Sequence, residues 1–155
     1  MKVASDASAC SSLTGVDELT YLAGFFDGEG SIMLGRRYHT PKHDLRLSVT
    51  QLDPEPLKLF SRRWGGSIGK VTKKGSRTVW RWYASAGIAE KALCDLAPYL
   101  VVKRHAAEAA LRFRRCTPRG VSTARYVEAE AAFRSVLDAA KRAEYQKCDV
   151  QPERR

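Results

Sequence analysis

A chain of 155 residues is the size of one domain and can bury a real core. It is 44% apolar and 28% charged, ordinary for a globular protein, and no stretch nears the roughly 18 apolar residues of a membrane span. The net charge of +10 points to a polyanion binder rather than a merely solvated basic surface, because it is concentrated: residues 30–83 hold twelve Lys/Arg against three acids.

The first sixteen residues are small and polar, with no apolar core of a secretory leader. They read as a loose tail before a single domain over 17–155, with a helical extension from about residue 120. Cys10, Cys94, Cys116 and Cys148 form no CxxC pair, so neither a zinc site nor a redox motif is expected. Idle thiols suit a reducing, intracellular compartment.

Asp17 is the expected cap of a first helix over 18–27. That helix lies in the most informative stretch of the chain, Tyr21 to Ile32, YLAGFFDGEGSI. Glycine costs about 1 kcal/mol against alanine inside a helix, yet Gly24 and Gly28 sit four apart on one face. Such a face suits the close approach of another backbone. Asp27 and Glu29 fall where the helix ends, against its partial negative charge. A positive partner is expected there, and a metal ion is the first candidate.

Residues 31–39 and 44–51 then alternate in polarity and predict a hairpin. Leu45, Leu47 and Val49 share one face, and Arg46, Ser48 and Thr50 share the other. Asp53-Pro54 opens a second helix with Leu57, Phe60 and Trp64 at helical spacing, and Gly65-Gly66 stops it. A second strand pair is expected over 67–74 and 77–85, turning at Gly75-Ser76. Trp80, Trp82 and Ala84 face one way and read as core. Helices follow over 88–100, broken at Pro98, over 103–115, and over 124–146, where Tyr126, Phe133, Val136, Leu137 and Ala140 form one stripe. The plan is α+β: one four-stranded antiparallel sheet with helices on one face.

The other face is then expected to carry Arg37, His39, Arg46, Ser48, Lys70, Thr72, Lys74, Arg77, Arg81 and Tyr83. Long donors and hydroxyls on a twisted ribbon suit the major groove of duplex DNA. The stripe has few of the aromatics that stack on single-stranded RNA.

With these elements in place, the chain resembles the LAGLIDADG homing endonucleases. Leu22 to Gly30, LAGFFDGEG, matches the family's signature string at five of nine positions. It opens the αββαββα order that the family shares, over roughly residues 17–115. Val49-Thr50-Gln51 through Trp64-Gly65-Gly66, and Leu96 through Lys103, match weaker family features.

A single signature implies the homodimeric branch, with Ala23, Gly24, Asp27 and Gly28 packed against the same helix of a second copy on a two-fold axis. The resemblance further implies that Glu29 of each copy, with the backbone carbonyl of Gly28, holds divalent cations, expected to be Mg²⁺. It gives Gln51 and Lys103 the tasks of organising water and stabilising charge. Asp27 is expected to shape the helix end rather than to bind metal. The implied function is metal-dependent cleavage of both strands of a long pseudo-palindromic DNA target. The alternatives are an inactive DNA-binding regulator and an intron RNA maturase on the same fold. Glu29 departs from the family's aspartate by one methylene. The basic residue that follows the Gln51 position in homodimeric relatives is missing from Leu52-Asp53-Pro54-Glu55, leaving Arg104, Arg62 and Arg63 as candidate substitutes.

Overall fold

The computed structural model describes residues 15–36, 42–72, 77–118 and 120–148. Helix α1 spans Gly15–Glu29 and runs straight into strand β1, Gly30–Arg36. Asp17 is therefore not a cap. It lies within the helix. The junction has no loop because residue 30 is glycine: a Cβ there would stand 2.4 Å from the Phe26 carbonyl oxygen. Gly30→Ala is expected to lower the unfolding free energy by about 2 kcal/mol, read from urea denaturation.

Strand β2, His43–Gln51, pairs antiparallel with β1, with Ile32 opposite Leu47 and Leu34 opposite Leu45. Helix α2, Glu55–Trp64, follows, its start tied by the Glu55 N–H donating to Asp53 Oδ1 at 2.9 Å. Gly65 and Gly66 stop it with φ of 85° and 91°, in the left-handed region. Strands β3, Ser67–Val71, and β4, Val79–Ser85, complete one sheet in the order β1-β2-β4-β3. The turn expected at Gly75-Ser76 lies outside the described residues.

Helix α3, Ala86–Leu96, passes into a 3-10 turn at Ala97–Tyr99, as Pro98 requires. Helices α4, Arg104–Cys116, and α5, Thr123–Cys148, follow. The core is one cluster between the helices and one sheet face, including Leu22, Phe26, Leu47, Phe60, Trp82 and Leu93. Trp82 anchors it further by donating its indole N–H to the Gly65 carbonyl at 2.9 Å. Phe113, Tyr126 and Phe133 seal α4 to α5. The expected α+β architecture is the observed one. No helix among the described residues is long and apolar enough to cross a membrane.

Candidate metal centre and nucleic-acid interface

Three elements end at one place: the C-terminus of α1, the C-terminus of β2 and the N-terminus of α4. Asp27 accepts the backbone N–H groups of Val101, Val102 and Lys103 at 2.6, 3.0 and 2.9 Å. The Lys103 ammonium in turn donates to the Asp27 backbone carbonyl. The positive partner expected at this helix end is thus supplied from within the chain. Asp27, expected toward a second copy, has both carboxylate oxygens engaged by its own 101–103 segment.

Burial alone would raise the Asp27 pKa, but the three amide donors and the Lys103 charge outweigh it and hold the group below its ordinary 3.8. A carboxylate held below its unfolded value stabilises the fold above that value, and the contribution is lost as pH falls through the lower folded one. Asp27→Asn should therefore cost about 2 kcal/mol at neutral pH. In unfolding titrations the gap between wild type and variant should shrink below about pH 4.

Glu29, by contrast, is exposed at the last position of α1, and no hydrogen bond or ion pair from the described residues reaches it. Gly30 pairs with Val49, so Glu29 and Gln51 flank the same end of the β1–β2 ladder. Gln51 turns its Oε1 to the Leu52 N–H at 2.8 Å. Val102 and Lys103 line a cavity of about 110 Å³ with Gly30 and Ser31, which places the lysine beside the residue that follows Glu29. The structure therefore gathers Glu29, Gln51 and Lys103 at one end of the sheet. Lys103 is committed to a carbonyl there rather than left free.

Among the described residues no three His, Cys, Asp or Glu side chains converge as a metal-binding group. One carboxylate and the Gly28 carbonyl are hard oxygen donors of the kind Mg²⁺ takes, but a single copy offers too few. The candidate cations do not help. Arg62 donates to Glu18 at 2.7 Å, Arg63 lies 3.8 Å from the same acid, and Arg104 donates to the Leu100 and Pro98 carbonyls.

The outer face of α1 is open. A Cβ on Gly24 or Gly28 would meet nothing within 4 Å, and Tyr21 beside them is 43% exposed. Ala23 is a correction. It is fully buried, because a 100° step per residue turns it from Gly24 toward Leu22 and Phe26. It packs the chain's own core and is unavailable to a partner.

The sheet face away from the helices carries Arg46, Arg81 and Tyr83, with Arg77 exposed at its edge. Arg46 donates to the Arg36 carbonyl at 2.6 Å and lies 5.8 Å from the Tyr83 ring centroid. Arg81 donates to Thr50 Oγ1 at 3.1 Å. Ser48 is only 7% exposed, walled in between Ser31 and Tyr83, so it is not the surface donor it was expected to be. Lys70 is also corrected. It pairs with Trp80, on the helix-packed face, and its ammonium sits 5.0 Å from that ring centroid. Thr72, two residues on, is exposed and contacts Thr78 at 3.1 Å rather than joining the Arg81 stripe. Arg37, His39 and Lys74 lie outside the described residues.

Gly35 shapes this face. A Cβ there would stand 1.9 Å from Arg46 Nε, so the glycine is what lets the arginine lie across β1. A glycine inside an alternating strand is the available signal for such a close approach.

No protein-family model matches the chain, and no curated protein sequence does. Solved structures do match. The homing endonuclease I-CvuI in complex with its target is 21% identical over 77% of this chain and 79% of its own, with a TM-score of 0.63. The same enzyme on another DNA target in the presence of magnesium gives 18% over 89% and 85%, with a TM-score of 0.61. The archaeal intron-encoded homing endonuclease I-Vdi141I, complexed with DNA, gives 16% over 83% and 97%, with a TM-score of 0.56. The chain has the fold of the LAGLIDADG homing endonucleases.

Proposed function

We propose that the protein is a site-specific DNA endonuclease that works as a homodimer, with Glu29 of each copy at the shared metal site. The observation that carries this reading is the pairing of an exposed Glu29, without a partner among the described residues, with the open Gly24–Gly28 face on the same helix. Packing that face against its two-fold mate brings two such acids together, and supplies the second carboxylate that one copy lacks. The solved neighbours are DNA complexes on the same fold, which supports duplex DNA as the partner.

Bound Mg²⁺ would supply an activated water and charge neutralisation at the scissile phosphate. The chain's own residues do the rest. Glu29 offers hard oxygens, and the Asp27–Lys103 exchange fixes the helix end that bears it. Gln51 presents an amide beside it for ordering water, and Arg46, Arg77 and Arg81 engage the duplex. The test is incubation of a randomised duplex library with the protein and Mg²⁺, followed by sequencing of new ends. Double-strand breaks at one recurrent sequence, lost on chelation, are expected.

A regulator that binds without cutting is favoured by one observation: Arg62, Arg63, Arg104 and Lys103 all have intrachain partners, leaving no cation free beside Gln51 among these candidates. Retained sequence-specific binding with no cleavage in the same assay would select it. Either way, affinity should fall steeply with salt, its logarithm dropping by about 0.9 per phosphate contact for each decade. A flat response in fluorescence anisotropy would remove DNA from the account.

A further inference from the structure

We propose that helix α5 sets the posture of Arg46, acting through the Tyr126 hydroxyl and the last rung of the β1–β2 hairpin. As a statement about DNA recognition it rests on the duplex-binding reading above. As a statement about the hairpin it stands alone.

The pairing of β2 with β4 ends at Arg46 opposite Ser85. Among the described residues no strand pairs with β2 beyond that point, and the His43 backbone groups on that side take another partner. Tyr126 is that partner. Its hydroxyl donates to the His43 carbonyl at 2.9 Å and accepts the His43 N–H. One side chain thus does for His43 what a neighbouring strand would do. Tyr126 is only 5% exposed, with its ring against Phe113 and the Lys42 ammonium 5.5 Å from its centroid. Lys42 also donates to the Val121 carbonyl at 3.2 Å, and His43 Nδ1 lies 3.1 Å from Glu130 on α5. The helix therefore grips the loop end of the hairpin at two consecutive residues.

The grip continues across the sheet. His43 pairs with Arg36, the final rung of the ladder, and the Arg36 carbonyl accepts the Arg46 guanidinium. Arg46 Nε is buried without a hydrogen-bond partner among the described residues. The guanidinium is thus aimed by the Arg36 carbonyl and by the berth over Gly35. A rung that wanders would release it. Tyr126 is on this account a positioning residue for Arg46, 80 positions away in sequence.

The experiment uses the full chain and Tyr126→Phe, which keeps the ring and removes the hydroxyl. Hydrogen exchange of the His43 amide should quicken by about tenfold, while amides in the α1–sheet core stay unchanged. Unchanged His43 exchange would overturn the proposal whether or not the protein binds DNA. The probe for recognition is a duplex selected by the wild-type chain from a randomised library. Tyr126→Phe should weaken its binding about fivefold, Arg46→Ala should weaken it more, and the double variant should match Arg46→Ala alone. Additive losses would mean that Tyr126 does not act through Arg46, and would overturn the coupling. Failure of the wild type to select any duplex would count against the DNA reading, while the exchange result still decides the anchor.

Discussion

Glu29→Gln is expected to abolish cleavage while leaving DNA binding equal or tighter. The substitution keeps the length and one oxygen of the side chain but removes its charge. Loss of a carboxylate ligand at a hydrolytic metal site removes several kcal/mol of transition-state stabilisation, a drop of about a hundredfold or more. The fold should be untouched, because the Glu29 carboxylate has no partner among the described residues. Binding should not suffer, because an acid facing phosphates repels them whenever no cation lies between. Cleavage of the selected duplex and its mobility shift, measured side by side, decide the matter. Undiminished cleavage would remove Glu29 from the metal site.

Gly24→Leu is expected to turn the proposed dimer into a stable monomer. Within one chain the new side chain meets open space, since a Cβ there has nothing within 4 Å. Replacing glycine by leucine in a helix favours the single chain by about 0.8 kcal/mol. Against a second copy of α1 the same side chain holds the two backbones apart. The two effects have opposite signs, which makes the outcome sharp. Sedimentation should show the mass halve while thermal unfolding of the isolated chain holds or rises. A dimer that persists would place the subunit contact elsewhere.

The elements themselves were legible because each has its own punctuation. Strict alternation marks β2, Asp53-Pro54 and Gly65-Gly66 bracket α2, and Pro98 breaks the helix before it reaches Leu100. The phase of β3 was not legible. Ser67–Val71 is short, with a glycine at its centre, and Lys70 can lie along apolar surface while keeping its charge in water. Only the pairing of Lys70 with Trp80 fixes which way it faces. Ala23 adjoins Gly24 in sequence, yet one helical step separates the inner face from the outer one.

The role of Asp27 depended on residues 74 to 76 positions away, which no local pattern reports. An acid at a helix C-terminus is unfavourable without donors. Asp27 finds its donors in backbone amides. Glu29, two residues on, is the acid to which the same argument still applies. Ser48 reads as a surface hydroxyl on alternation alone, and its burial comes from two flanking strands that the sequence places only after the fold is known.

The direct passage from α1 into β1 at Gly30 makes the acid and the edge of the sheet one rigid piece. In the proposed dimer, the helix end sits at the two-fold axis while the sheet reaches outward along the duplex. The place of the cut and the distance between the two half-sites that are read would then be set by a single mechanical part. A target with bases inserted at its centre could not be accommodated by a flexing joint, because the chain has none there. Evolution toward a differently spaced site would have to begin by lengthening this junction, not by exchanging the side chains that touch bases.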